Sequence, residues 1–420
     1  MRPEGAARDL PPPTAAAPAG GLRAAASCAL AVAAVGYFFT GIDRYGQASW
    51  GLPQPVFPVV AFAAAAAVLA VTAPGRRFVV LRSPVTWWVV AFCAATAAWA
   101  IGSGPTEQVV PELSSRCRSV AFVVALMVVL DAEEARRAAA LAVAACVAVA
   151  SALNVAELLS IVTFADLPEL DRVIGRSGGF YVNPNISGLA IALGVAVTLD
   201  RVPSSARVPL CVASAVGVAA TFSRGAAACF VLVLLVLAAR GAFRSWQIVV
   251  AGVAIVVALV LAFQLAQSHG LLNENTVARV RLAKDDSGRL DLARIAWDAF
   301  VRSPLGGEGL GWIRASPEQP HNMLLLLAAD QGVVGFLLFP ALGLALATRN
   351  PAALAFSAGF MLAGVFSHNL LEDRAMLVLV ALAAVGAAAA GPGAWLRSPR
   401  RRRAPTRAGA GAAAWARSIP

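Results

Sequence analysis

The sequence predicts an all-α polytopic membrane protein with about twelve transmembrane helices, and three observations predict it. The chain of 420 residues is 59% hydrophobic and only 14% charged. Its apolar runs recur almost from end to end at about 20 residues, the length that crosses a hydrocarbon core. Arginine-rich loops alternate with loops poor in Lys and Arg, the asymmetry that orients spans in a bilayer.

In chain order the expected spans cover 22–42, 54–73, 85–103, 118–131, 137–160, 186–200, 206–222, 225–239, 246–266, 321–348, 352–369 and 374–391. An even number places both termini on one side. Arg76, Arg77, Arg82, Arg136, Arg137, Arg201, Arg207, Arg240, Arg244 and Arg349 mark that side as the cytoplasm. Residues 1–21, rich in Pro and Ala with mixed charge, lack the charged-then-apolar order of a secretory signal and are expected to form a disordered cytoplasmic tail. Residues 22–391 form the transmembrane unit, and 392–420 a basic cytoplasmic tail. The net charge of +11 comes with basic tails beside apolar runs, which set orientation and touch anionic lipid, so no nucleic-acid partner is expected.

Six cysteines show no Cys-x-x-Cys pair, which indicates neither a disulfide framework nor a zinc site. His269, His321 and His368 are far apart and make no His-Glu-x-x-His pattern, so no metal ligands are assigned.

The polar segments gather on the external side of this topology. They are "DRVIGRSGGFYVNPN" at 171–185, "TFSRG" at 221–225, the long loop at 267–320 between spans nine and ten, and "SHNLLEDR" at 367–374. A connection as long as 267–320 is usually functional or disordered. Within it Leu290, Ala293, Trp297 and Val301 recur at helical spacing, with Arg289, Asp291, Arg294, Asp298 and Arg302 around the rest of the circumference. That pattern predicts an amphipathic helix on the bilayer or capping the bundle. "SPLGGEGLG" ends it, and its glycines match neither a dinucleotide fingerprint nor a phosphate loop.

His321 and Asn322 are followed by nine residues and then Gly332, Val333, Val334 and Gly335. This resembles the motif of the O-antigen ligase and O-antigen polymerase superfamily of membrane glycosyltransferases. "TFSRGA" is similar to the family's Ser-Arg-Gly element, and "SGRLDLARIAWDAFVRSPLGGEGLGW" to the segment that precedes its histidine. "GRSGGFYVNPN" resembles its Arg, Gly and Asn-Pro-Asn stretch. The resemblance implies transfer of a glycan from a polyprenyl-diphosphate carrier to a glycan, lipid or other envelope acceptor, on the outer face of the bacterial cytoplasmic (inner) membrane. It implies inversion at the sugar and no metal or other cofactor. His321 is implied as the catalytic residue, and Arg224, Arg289 and Arg176 as the diphosphate ligands. Asn322, Asn183 and Asn185 are supporting residues.

The chemistry asks for these residue types. A guanidinium pairs bidentately with phosphate oxygens and keeps its charge, so several of them can stabilise a diphosphate leaving group without a divalent ion. A histidine near neutrality, pushed down by neighbouring arginines, accepts the acceptor's proton. His368 and Glu372, beside Asn369, Asp373 and Arg374, form a second polar cluster, suited either to acceptor binding or to an interhelical cap. Gly332 and Gly335 read as structural, small residues for close helix approach, with Pro340 as a kink. A polymerase of lipid-linked repeats is equally compatible with the sequence. A transporter would need ionisable groups near the midplane, for which Glu157 is the main candidate.

Overall fold

A computed structural model describes residues 19–72, 79–164, 176–243, 289–315, 319–348 and 350–389, with the isolated positions 247, 268 and 270. Among the described residues every regular element is helical. α1 (Ala19–Ala34) continues through a π-helical turn at Val35–Phe39 and is followed by α2 (Ile42–Trp50), α3 (Val56–Val71), α4 (Pro84–Ser103), α5 (Val109–Val129) and α6 (Glu133–Leu158). Then come α7 (Pro184–Thr198), α8 (Ser204–Ala220), α9 (Arg224–Ala239), α10 (Arg289–Arg302), α11 (Trp312–Ala315), α12 (Met323–Leu346), α13 (Pro351–Phe366) and α14 (Arg374–Ala389). The predicted span 246–266 (except Gln247), His269, residues 1–18 of the N-terminal tail, the whole tail 392–420 and most of the first part of the long loop lie outside the described residues.

Among the described residues four segments are long and apolar enough to cross a membrane: Gly21–Phe39, Pro84–Ser103, Glu133–Leu158 and Met323–Leu346. α3, α7, α8, α9, α13 and α14 are shorter apolar helices. α7 is the centre. It is apolar all round and buried from Ser187 to Thr198, as a helix with no solvent face must be. It packs against α6, α8, α9 and α13. Gly188 lets α9 close on it, since a Cβ there would stand 2.6 Å from Ala226 Cβ.

The two ends of the bundle differ in chemistry. At one, Glu133 pairs with Arg136 at 2.6 Å and with Arg201, and Arg207 donates to Ala242 O at 3.1 Å. The other gathers the starts of α7, α9, α12 and α14 and the ends of α8 and α13.

Three expectations are corrected. The fourth predicted span starts nine residues too late, because α5 begins at Val109. Its Glu112 and Arg116, outside the predicted span, are buried in the bundle and bonded to each other at 2.6 Å. The loop helix exists as α10, yet it buries Leu292, Ala296 and Ala299. The expected apolar stripe faces outward, with Leu290 61%, Trp297 50% and Val301 56% exposed. α10 packs against α12, where Phe300 stacks on Phe336.

The third correction concerns α12. Its only non-helical angles are at Gln331 and Gly332, well before Pro340, and Gly332 has φ +60° and ψ −146°. Gly332 is therefore a break in the helix rather than a small residue inside it. The groups freed there are satisfied by the "SPLGGEG" loop. Glu308 N donates to Ala329 O at 2.8 Å, Gly309 N to Asp330 O at 3.2 Å, and Val333 N to Pro304 O at 2.8 Å. In an apolar surround such pairing is obligatory.

Candidate functional site

The site is assembled from helix starts. Asn183 caps α7, its Oδ1 accepting from Asn185 N at 2.9 Å and Ile186 N at 3.4 Å, with Pro184 in the first turn. Ser223 caps α9, accepting from Ala226 N at 3.4 Å. Asn322 caps α12, accepting from Leu325 N at 3.1 Å. The turn before α9 carries Phe222 at φ +49°, a left-handed conformation that costs a bulky residue on the order of 1–3 kcal/mol. That turn presents Thr221 O to Arg176 Nε at 2.9 Å. Arg176 Nη2 donates to Asn185 Oδ1 at 2.8 Å, and Ser223 Oγ donates to the same oxygen at 2.9 Å.

Between these starts lies a cavity of about 510 Å³. Arg176, Arg224, Arg289, His321, Asn322 and Asn185 all line it, although they come from four separate stretches of the chain. Leu189, Ala226, Leu290, Ala293, Val365 and Phe366 supply an apolar wall. The cavity therefore joins a cationic region to a greasy one. The α9 and α12 starts add the partial positive charge of their unsatisfied amides. Two of Arg176's nitrogens are committed to Thr221 and Asn185, so it holds the wall together while contributing charge.

His321 opens into the cavity, and partial burial followed by the Arg289 charge lowers its pKa. Its ring lies 5.1 Å, centroid to centroid, from that of His368. Burial, then His321 and Arg314, push His368 down to about 4, and its Nδ1 has no hydrogen-bond partner among the described residues. A histidine depressed from 6.5 to about 4 in the fold takes up its proton first when unfolded, so stability is lost as pH falls through that window. The melting temperature in detergent is expected to drop between about pH 7.5 and about pH 5, and to drop less in His368→Phe. Equal slopes in the two proteins would contradict this.

The remaining expected residues lie elsewhere. Asn183 acts as the α7 cap, and Gly332 and Gly335 sit at the α12 break. Glu372 is ion-paired with Arg314 and its pKa is raised, mainly by burial. Glu157, the candidate for a transporter, accepts from Gly178 N at 2.9 Å and Gly179 N at 2.8 Å and so pins the 176–183 loop.

Sequence reasoning missed a buried ionic network. Asp330 accepts from Arg116 Nη2 at 3.2 Å, Gly311 N at 3.1 Å and Ile313 N at 3.2 Å. Glu112 joins Arg116 to Arg314, both at 2.6 Å. Two signals were available: the i,i+4 spacing of Glu112 and Arg116, and an aspartate inside the apolar run after His321. Among the described residues no three His, Cys, Asp or Glu side chains cluster as a metal would need.

Neither the curated proteins nor the solved structures compared with the chain include a match. The family model described as O-Antigen ligase matches residues 209–340, from the first turns of α8 to Pro340 in α12. The match takes in Arg224, Arg289, His321, Asn322 and both glycines, and leaves out Arg176, Asn183, Asn185, His368 and Glu372. Over that segment, which is less than half of its length, the chain is similar to the O-antigen ligase family.

Proposed function

We propose that this protein transfers a glycan from a polyprenyl-diphosphate carrier to an acceptor hydroxyl at the outer face of the cytoplasmic membrane, and that the 510 Å³ cavity is its donor site. One observation carries the reading: three arginines and a histidine from separate stretches share a cavity with an apolar wall. A polyprenyl diphosphate has the matching two halves, a multiply charged head and a hydrocarbon chain.

In the proposed reaction the acceptor oxygen attacks the anomeric carbon from the face opposite the diphosphate. The new C–O bond forms as the bond to the diphosphate breaks, and the diphosphate leaves with the electron pair. His321 takes the hydroxyl proton. Direct displacement inverts the sugar. Arg224 and Arg289 neutralise the charge that grows on the leaving group, doing the work a divalent ion does elsewhere.

The broken α12 with its buried Asp330 is the kind of feature a transporter uses. Here both halves of the break are filled by the 304–309 backbone, and Asp330 is saturated by two amides and Arg116. These contacts favour a structural lock over an ion path.

The test compares lipid-linked and surface glycans in cells lacking the protein, complemented with wild type or variants. Loss of a surface polymer with accumulation of its lipid-linked precursor is expected, full-length chains marking a ligase and single repeats a polymerase. Unchanged pools would remove the reading. Transfer in isolated membranes is expected to survive a chelator. Arg224→Lys keeps the charge but loses the fork, and is expected to lower transfer by about tenfold, the worth of one charged hydrogen bond. Wild-type turnover would leave Arg224 as an interfacial anchor.

A further inference from the structure

A second cavity, of about 190 Å³, lies between α2, α3, α5 and the start of α14. On α5, Ser115, Arg118, Ser119 and Phe122 stand at i, i+3, i+4 and i+7, so one face of this helix is turned to the cavity. Glu112 and Arg116 of the same helix turn into the bundle, whereas Ser115, Arg118 and Ser119 line this cavity, and polar groups of this kind in a membrane protein mark a water-filled or ligand-filled space. Gln47 and Gln54 face the stripe from α2 and from the residues before α3.

The charges are not all spent. Glu372 is held by Arg314, and Arg374 by Asp43. Arg118, exposed to the cavity, makes no ion pair among the described residues. Among the described lining residues its guanidinium is a cation outside the ion pairs, beside the amides of Gln47 and Gln54, the hydroxyls of Ser115 and Ser119 and an apolar side of Pro55, Val56, Val59, Phe122 and Leu377. Such a lining suits a sugar ring bearing an anionic substituent, with a planar fork for the anion and Gln and Ser groups for the hydroxyls.

The position is equally pointed. Glu372 borders this cavity, its partner Arg314 acts on His368, and His368 faces His321, which lines the larger cavity.

We propose that the small cavity is the acceptor subsite, and that it receives an anionic sugar ring whose hydroxyl is presented toward the histidine pair. The proposal rests on the donor reading of the larger cavity.

Three variants test it: Ser119→Trp, which fills the space, Arg118→Gln, which removes the cation at an exposed side chain, and Arg118→Lys, which keeps it. In cells the first two are expected to cut surface polymer by about tenfold or more, and Arg118→Lys by less. Purified protein is titrated with undecaprenyl diphosphate, whose affinity is expected to stay within about twofold in all three, because the sites do not share residues. Saturation-transfer NMR on the same protein uses methyl glucuronide, glucose 1-phosphate and methyl glucoside as probes. A charged probe is expected to bind wild type and not Ser119→Trp or Arg118→Gln, and the stronger of the two names the anion as carboxylate or phosphate.

Wild-type transfer in Ser119→Trp and Arg118→Gln would overturn the subsite and leave the donor reading standing. So would charged probes that bind neither protein, or that bind the variants as well as wild type. Loss of undecaprenyl diphosphate binding in step with transfer would assign the small cavity to the donor instead. Failure of wild type itself to bind undecaprenyl diphosphate, with full transfer by His321→Ala, would remove the donor reading and the subsite with it.

Discussion

His321→Ala is expected to lower glycan transfer by about 10³-fold, the range for loss of a positioned general base, while the protein inserts, purifies and melts as wild type does. The side chain projects into the cavity from the residue before the α12 cap, so its removal leaves Asn322 Oδ1 on Leu325 N and the helix start intact. The pH profile supplies a second readout. Burial and the Arg289 charge both disfavour imidazolium, so His321 stays neutral to a lower pH than an ordinary histidine. The acidic limb of kcat/KM is then expected below 6.5. Replacing Arg289 with Gln removes a positive neighbour, raises the histidine's pKa and moves that limb upward, apart from any loss in rate. A limb that stays in place would show that Arg289 does not act on His321 in the free enzyme. Undiminished transfer by His321→Ala would take the residue out of the mechanism.

How much of this was legible in the sequence depends on the range of the interaction concerned. Helix positions follow from apolar runs, which are local, and the predicted segments from 54–73 to 374–391 that fall in the described residues coincide with helices to within a few residues, apart from α5. The convergence of Arg176, Arg224, Arg289 and His321 follows from which helix ends face the same way, and loop arginines give that before any contact is known. The misreadings share a cause. Glu112 and Arg116 fall outside the predicted span because their compensating partners, Asp330 and Arg314, are about 200 positions away in the chain. The α10 face was misassigned because hydrophobicity ranks Trp297 above Ala296, whereas the packed face is the one that carries Leu292, Ala296 and Ala299. Asp330 was overlooked because a lone carboxylate in an apolar run shows no partner in one dimension.

The glycine half of the motif is expected to fail differently from the histidine half. Gly332→Ala places a Cβ 2.6 Å from the Leu305 carbonyl carbon and oxygen and from Pro304 O, at φ +60° and ψ −146°, where only glycine is at ease. Gly335→Val drives a side chain into Leu327 O of the preceding half-helix. In both cases the obstacle is backbone, which cannot swing aside as a side-chain tip does. The loop that would have to move carries the amides of Gly311 and Ile313, which hold Asp330, so displacement strands a buried carboxylate as well as the carbonyls of Ala329 and Asp330. A loss of about 4 kcal/mol or more is expected for each variant, enough to abolish accumulation in the membrane or to lower the melting temperature sharply in detergent. The comparison with His321→Ala, made on the same membranes, separates packing from chemistry: no transfer with normal protein for the histidine, little protein for the glycines. Gly332→Ala that accumulates and melts like wild type would mean that the 304–309 loop does not lock the break, and the filled-break argument against an ion path would go with it.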